Sequence, residues 1–480
     1  MFDTEAGEGA LVVDLDGTLT PVDTLHELWL LEFKRRPLKA LALLSSAFSS
    51  RATFKRVLAE NHIEGLENLP LAPDIVDIIQ DARNNGRTTI LATGASEVVA
   101  TALAHKTGLF DDVHSSRGDV NLTGKRKAHH LVERFGRRGF TYIGNSVQDV
   151  PVWAEAHTAI VVSPSTRLVR KAATVCDSVT HVDPRRSTIK TWIKALRVHQ
   201  WTKNFLLFLP LLASHQLGQV RLWIDNILAF LLFSLLASAT YIINDILDLA
   251  ADRRHATKRE RPFAAGILTV KSGVLVSGFL GLLVLFGCVV WLPPLLPWLG
   301  VYALLTLTYS FALKMLAILD CMTLSLLYVI RVLAGAATAG LTNSFWLIGF
   351  ALFFFFGMAL AKRYSEVQRY TQASRSLPGR GYIHSDGQLV LSLGVTSSQA
   401  SVLLAALYLN SPEVALRYDK PAILWAILPI LMLWIGYLWL TAHRGKLNDD
   451  PIVFAIQDPW SRLAAASLTI TFVVAALGIS

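Results

Sequence analysis

Asn244-Asp245-Ile246-Leu247-Asp248-Leu249-Ala250-Ala251-Asp252 decides the reading of this chain, because it closes an apolar run of membrane length, residues 222–247. Asp245, Asp248 and Asp252 are spaced i, i+3 and i+7, which puts three carboxylates on one helix face. Acids at a membrane boundary are costly unless they face a wet cavity or bind cations, so they mark a functional site. Three carboxylates on one face suit Mg²⁺, which takes a few protein oxygens and completes its shell with substrate phosphates. The stretch that follows, RRHATKRERPFAAG (253–266), adds guanidinium and ammonium groups suited to phosphate.

Outward from that segment, apolar runs recur at about 204–217, 222–247, 267–291, 295–313, 315–340, 343–361, 388–410, 421–442 and 463–480, nine candidate spans. The first is short for a bilayer. Loops between them carry Arg253, Arg254, Lys258, Arg259 and Arg261, then Lys362, Arg363, Arg369, Arg375 and Arg380, on one side. Arg221, Arg417 and Lys420 are nearly all that stands on the other. That asymmetry predicts a cytoplasmic N-terminal part in the cell inner membrane, with the C-terminus outside. The chain's 480 residues hold 45 Lys+Arg and 36 Asp+Glu, a net charge of +9, and 49 of these charges fall in residues 1–203. A soluble domain ahead of a polytopic membrane domain follows, which excludes a wholly soluble enzyme, a disordered chain and nucleic acid as the partner. Cys176, Cys288 and Cys321 are scattered and offer neither a disulfide framework nor a metal site. The opening MFDTEAGEGA is acidic and lacks the basic and apolar regions of a secretory signal. Between the halves, Ile189, Trp192, Ile193 and Leu196 recur with helical spacing among Lys190, Lys194 and Arg197, so residues 187–203 are expected to form a basic amphipathic linker helix on the membrane surface.

In the soluble half (1–186), the apolar ALVV of residues 10–13 runs into Asp14-Leu15-Asp16-Gly17-Thr18. Side chains alternate on a strand, so Asp14 and Asp16 project together from its carboxyl end. Such a pair can hold Mg²⁺ while one attacks a phosphoryl group and the other moves a proton. TTILATGAS (88–96) reads as a second strand reaching Thr93, NLTGKRKAHHLVERFG (121–136) starts a helix near Lys127, and FTYIGNSVQDVPVW (140–153) reads as a third strand leading to Asn145 and Asp149. Strands alternating with helices predict an α/β fold with a parallel sheet, with ligands at the carboxyl ends of the strands.

These four motifs in this order resemble the haloacid dehalogenase (HAD) phosphatase superfamily across about residues 10–180. The resemblance implies Asp14 as the nucleophile and Asp16 as acid/base. It implies Thr93 and Lys127 on the phosphoryl oxygens, and Asp14, Asp16, Asn145 and Asp149 around one Mg²⁺. The family usually has an acid at the place of Asn145, so this site carries one negative charge fewer. Residues 19–70 look helical and are expected to form a small cap.

NDxxDxxxD at the end of a second span resembles the UbiA prenyltransferase superfamily over about residues 190–480. This implies an all-α membrane domain (204–480) of about nine helices around a lateral cavity, with Mg²⁺ and a diphosphate at its cytosolic mouth. The family's second, DxxxD motif is broken here, because Asp320 is followed four residues later by Leu324. RVHQWTKNFLLFLPLLA (197–213), HATKRERPFAAG (255–266), YSFALK (309–314), AKRYSE (361–366) and DDPIVFAIQD (449–458) resemble the decaprenyl-phosphate phosphoribosyltransferases. In that branch the diphosphate belongs to phosphoribosyl pyrophosphate (PRPP), and a polyprenyl phosphate is the acceptor.

The resemblance implies Asp245, Asp248 and Asp252 as ligands of one or more Mg²⁺, with Asp245 and Asp248 catalytic. Lys203, Asn204, Asn244, Lys258, Arg259, Arg261, Tyr309, Lys314, Lys362 and Arg363 are the candidates for substrate phosphates. Arg331, inside a span, has no assignment. A transferase that leaves a 5-phosphate on its lipid product, fused to a phosphatase, predicts two consecutive reactions on PRPP, a polyprenyl phosphate and the bilayer, by one chain or a homo-oligomer. The alternative is a prenyl transfer to an aromatic or other small acceptor, with the HAD half acting on an unrelated phosphate or as a regulatory anchor. A polytopic transporter with a regulatory HAD domain would need paired helix breaks in equivalent halves, and none is seen.

Overall fold

The computed structural model describes all residues except 1–8, 50, 63–65, 67, 118–119, 185–186, 215, 343, 370–376, 378–379, 412–413, 415–417, 419, 448–450 and 478–480. Most of the N-terminal MFDTEAGEGA, the loop cations Arg375 and Arg417, and the first two residues of DDPIVFAIQD lie outside the described residues. Two compact units emerge, one of residues 1–196 with 242–275, the other of residues 197–241 with 276–480. The aspartate-rich segment therefore belongs to the same unit as the N-terminal domain.

The first unit is built on a parallel sheet of six strands, β1 (Ala10–Val13), β2 (Thr89–Ser96), β3 (Asp112–Ser116), β4 (Phe140–Gly144), β5 (Thr158–Val162) and β6 (Ser178–Val182), in the order β3-β2-β1-β4-β5-β6. β1 lies between β2 and β4, with Leu11 opposite Thr89 and Thr141. Leu11 and Val13 pack into one core with Leu91, Val99 and Ile143. Val12 turns to the other face, against Ile90, Tyr142 and Trp153. Burial on both faces is why these strands read as unbroken apolar runs, and each buried Val or Leu contributes roughly 1.5–3 kcal/mol. The expected cap is three helices, α1 (Thr24–Arg35), α2 (Pro37–Ser49) and α3 (Arg51–His62). Asp23 starts α1 by accepting from the backbone N–H groups of Leu25 (2.9 Å) and His26 (3.3 Å).

The same unit contains the segment 242–275. The span helix Val220–Leu247 ends there, and a short helix, Leu249–Arg254, follows after a break at Asp248. Arg253 is buried, and its guanidinium forks onto Glu27 of α1, Nη1 to Oε2 at 3.0 Å and Nη2 to Oε1 at 2.8 Å, while Nε donates to the Ala264 carbonyl. Gly266, at φ +71°, lets the backbone close on Pro21, whose Cγ would lie 2.6 Å from any Cβ placed there. Arg253→Ala would leave Glu27 buried without its counter-charge, an effect of about 3 kcal/mol. The expected result is a fall in Tm of roughly 6–12 °C in detergent-solubilised protein; an unchanged Tm would show that the fork does not hold this unit together.

Among the described residues, eight helices are long and apolar enough to cross a membrane: Val220–Leu247, Val270–Trp291, Pro293–Phe311, Leu319–Thr338, Phe345–Arg369, His384–Leu409, Pro421–His443 and Pro459–Ala476. The shortest of the nine apolar runs forms a 3₁₀ helix, Val198–Phe208, and a single helical turn and a half, Leu209–Ala213, with Pro210 at its start. The linker helix is also shorter than its periodicity suggests. It covers Ile189–Ala195, and Arg197 adopts a left-handed φ of +50° that ends the helical run. Lys362 and Arg363, read as loop cations, lie within the helix Phe345–Arg369.

Candidate functional site

At the carboxyl ends of the neighbouring strands β1, β2 and β4, the structure brings Asp14, Asp16, Thr93, Lys127, Asn145 and Asp149 to one end of the sheet. Lys127 is buried and donates to Asp14 Oδ1 at 2.8 Å and to the Tyr142 hydroxyl at 2.9 Å. That hydroxyl donates in turn to Asp149 Oδ1 at 2.9 Å. Asp149 Oδ2 accepts from the Asn145 and Ser146 backbone N–H groups and from Ser146 Oγ, at 2.9–3.1 Å. Asp149 is thus a hub that orients the loop after β4, with both oxygens engaged. Thr93 Oγ1 accepts from the Ala95 N–H at 3.0 Å, and Lys55 of α3 donates to the Gly94 carbonyl at 2.7 Å.

The electrostatics follow from burial. Burial raises the Asp14 carboxyl above its ordinary range, against the opposing pull of the Lys127 ammonium. Burial, with the Asp23 charge nearby, pushes Asp16 up to about 7, although the Thr24 N–H donates to its Oδ1 at 2.8 Å. Burial likewise raises Tyr142, which keeps its phenol protonated as a donor. A carboxylate beside a lysine and a carboxyl that holds its proton near neutrality are the kinds of group that phosphoryl transfer through an aspartyl-phosphate uses.

The donor set fits Mg²⁺. Asp14, Asp16 and the amide oxygen of Asn145 are the hard oxygen donors that Mg²⁺ takes, and the buried hydroxyls of Thr18 and Thr20 have no hydrogen-bond partner. Gly17, at φ +75°, makes room for Asn145, whose Nδ2 would lie 2.0 Å from a Cβ. Among the described residues no three His, Cys, Asp or Glu side chains could hold a metal unaided. An ion at either site therefore depends on amide oxygen, water or substrate phosphate. Asn145→Asp would restore a charge to the shell. It should lower the Mg²⁺ concentration for half-maximal phosphatase activity roughly tenfold, and an unchanged Mg²⁺ dependence would remove Asn145 from the shell.

In the aspartate segment the three carboxylates do not share one continuous helix face as the spacing suggested, because the helix breaks at Asp248. Arg261 joins two of them, with Nη1 at 3.2 Å from Asp245 Oδ1 and 2.6 Å from Asp252 Oδ2. Asp248 Oδ1 lies 2.9 Å from the Lys34 ammonium of α1, which also donates to the Leu247 carbonyl at 2.9 Å. Asn244 is half-buried and its carbonyl accepts from the Asp248 N–H, while Lys258 and Arg259 are exposed. Carboxylates compensated by a partly exposed arginine suit a Mg²⁺–diphosphate, whose charges can replace both partners of that pair.

Within the second unit, Lys203 and Lys362 line a small cavity with Tyr328 and Met358. Lys203 and Met358 also line an apolar groove of about 430 Å³ that includes Phe354, Leu431, Trp434 and Leu468. Lys314 is half-buried, and Tyr309 accepts from Arg380 at 2.6 Å. Arg363 is wholly buried. Its Nη2 lies 2.7 Å from Asp320 Oδ2 as an ion pair not aligned as a hydrogen bond, and it also pairs with Glu366. Tyr382 donates to Asp320 Oδ1 at 2.6 Å. Asn204 is buried too, donating to Ser234 and accepting from Arg331 Nε at 2.8 Å. Arg331, unassigned from sequence, sits within 5.0–5.5 Å of the rings of Phe233, Tyr302 and Tyr328.

Sequence reasoning missed Tyr142, Lys34 and the Glu27–Arg253 fork. Tyr142 carried no signal beyond being an aromatic residue of a buried strand, and Lys34 is an ordinary base in a helix's last turn.

Comparison with known proteins agrees with both halves. Residues 205–474 match the UbiA prenyltransferase family, and residues 11–153 match the haloacid dehalogenase-like hydrolases. The chain is 37% identical over 473 residues to the uncharacterized protein y4nM of Sinorhizobium fredii, covering 97% of this chain and 90% of that protein. It is 33% identical over 290 residues to the nodulation protein NoeC of Azorhizobium caulinodans, covering 59% of this chain and 92% of NoeC. It is 36% identical over 285 residues to the decaprenyl-phosphate phosphoribosyltransferase of Mycolicibacterium smegmatis, covering 57% of this chain and 89% of that enzyme.

Proposed function

Because the chain belongs to the UbiA prenyltransferase family and carries a HAD-like domain ahead of its membrane helices, we propose that it transfers phosphoribose from PRPP to a polyprenyl phosphate and then removes the 5-phosphate. The observation that carries this reading is the fate of Asp320. At the place where the resemblance puts a second diphosphate-binding motif, the one remaining carboxylate is spent on a buried ion pair with Arg363 and a bond from Tyr382. The aspartates of 245–252 are left as the carboxylates for a single diphosphate, and the similarity to a decaprenyl-phosphate phosphoribosyltransferase supports PRPP as its source.

Asp245, Asp248 and Asp252 would hold the Mg²⁺ that accompanies the diphosphate of PRPP, and Arg261, paired here with Asp245 and Asp252, would turn to the phosphate oxygens. Mg²⁺ supplies charge stabilisation for the departing diphosphate. Lys203 and Lys362, at a small cavity beside the apolar groove, are suited to a lipid phosphate with its chain along that groove, and in the reaction an oxygen of that phosphate bonds to C1 of the ribose as diphosphate leaves. That phosphate is already anionic, so no protein nucleophile or strong base is required. Arg363 is held by Asp320 and Glu366, and Asn204 by Ser234 and Arg331, and this burial and pairing favour a role in positioning helices over contact with substrate.

In the HAD half, Asp14 attacks the 5-phosphate, Asp16 gives its proton to the leaving ribose oxygen, and a water activated by the same carboxylate releases phosphate. Thr93 and Lys127 hold the phosphoryl oxygens. Confinement of the first product to the membrane surface raises its effective concentration for a phosphatase in the same chain. The clustering of loop cations on one side of the spans supports an N-terminal domain on the cytoplasmic side of the cell inner membrane. The test is incubation of purified protein with Mg²⁺, a polyprenyl phosphate and ribose-labelled PRPP, followed by mass analysis of the lipid extract. Labelled lipid supports the reading; no labelled lipid from a preparation that turns over prenyl diphosphates would replace it with prenyl transfer to a small acceptor.

A further inference from the structure

The cap helix α1 touches residues of both candidate sites. At its amino end the Thr24 N–H donates to Asp16, the acid of the phosphatase site, at 2.8 Å. Near its carboxyl end Lys34 donates to Asp248 at 2.9 Å. Between them Glu27 takes the fork of Arg253, with both side chains almost fully buried. Glu27 and Lys34 are seven residues apart and so lie on one face of the helix. The two contacts have opposite polarity: an acid of α1 meets a base of the aspartate segment, and a base of α1 meets an acid. Twelve helical residues span roughly 18 Å, a rigid distance over which both ends respond to a shift of the helix.

The contacts differ in strength. The Glu27–Arg253 fork is bidentate and buried, whereas the Lys34 side chain is about a third exposed and gives Asp248 a single charge. A divalent cation with a diphosphate competes directly for the Asp248 oxygen that Lys34 now holds, while the fork keeps α1 attached. Resting on the reading of 245–252 as a Mg²⁺–diphosphate site, we propose that α1 couples the two active sites. Capture of Mg²⁺–diphosphate displaces Lys34 from Asp248 and from the neighbouring Leu247 carbonyl, lets the carboxyl end of α1 swing about the Glu27–Arg253 fork, and the tilt reaches Asp16 through the Thr24 N–H at the amino end of the same helix. Lys34 is a positioning residue that reports the state of the transferase site to the phosphatase.

The coupling is tested in the full-length protein in detergent, with p-nitrophenyl phosphate as the phosphatase substrate and Mg²⁺–diphosphate as the probe. Binding of the probe is followed by isothermal titration, and hydrogen exchange is read over residues 31–35 of the wild type. Wild type, K34R, K34M and D248N are compared by the ratio of turnover with and without the probe. The wild-type ratio is expected to depart from one by about fivefold, to persist in K34R and to return to one in K34M and D248N. Exchange at the carboxyl end of α1 rises when the probe binds. Probe binding that D248N weakens, combined with an equal ratio in wild type and K34M and no change in exchange, would overturn the coupling and leave the site reading intact. Inhibition that is the same in all four proteins reports diphosphate in the phosphatase pocket itself and also counts against the coupling. Absence of any binding sensitive to D248N would overturn the diphosphate site, and the coupling with it.

Discussion

Asp14→Asn is expected to lower phosphatase turnover by about a thousandfold or more, because the amide cannot form the aspartyl-phosphate on which both half-reactions depend. The substitution keeps the shape of a side chain that is buried and hydrogen-bonded to Lys127. Lys127 keeps its bond to the Tyr142 hydroxyl, and Asp149 lies 3.9 Å from its ammonium, so its charge is not stranded. The variant therefore separates chemistry from folding. Incubated with PRPP and a polyprenyl phosphate, it should accumulate lipid-linked ribose that retains the 5-phosphate, heavier than the wild-type product by one phosphate group. A dephosphorylated lipid formed at the wild-type rate would assign the HAD half another substrate.

Particular residues show what was legible without coordinates. ALVV before DLDGT was readable as a buried strand because a parallel strand covered on both faces has no polar alternation to confuse it, and β1 starts and stops where the apolar letters do. The order of Asp14, Thr93, Lys127 and Asp149 along the chain translated into one site because they end adjacent strands or open the helices beside them. β3 was less visible: DVHSS is a half-buried edge strand with little apolar content. Helix periodicity also overreached twice. It ran through Asp248, where the helix breaks, and through Arg197, where the backbone turns left-handed, since spacing records which residues could share a face and not where the chain bends. Arg253 is the sharpest case. As one of five cations after the second span it reads as a topology signal, yet its fork onto Glu27 joins residues more than two hundred positions apart, a pairing that local sequence cannot express.

The same contrast frames the effect expected at the membrane boundary. Asp245→Asn should reduce phosphoribosyl transfer by about 10²- to 10³-fold and raise the Mg²⁺ requirement, because one of three carboxylates that would hold the metal against the diphosphate is lost. The cost to folding should be small. Arg261, which reaches Asp245 at 3.2 Å, retains its shorter contact with Asp252 at 2.6 Å and is partly open to water. Asp320→Asn should do the reverse. Its carboxylate is wholly buried, ion-paired to Arg363 and bonded by Tyr382, so loss of the charge leaves the buried guanidinium with Glu366 alone and lowers Tm. Measured together, Mg²⁺ dependence at constant Tm for Asp245 and a fallen Tm for Asp320 would divide the two acids into one that works on substrate and one that holds helices. Transfer unaffected in Asp245→Asn would mean that the diphosphate is bound elsewhere, and the aspartate segment would then serve only as the docking face of α1.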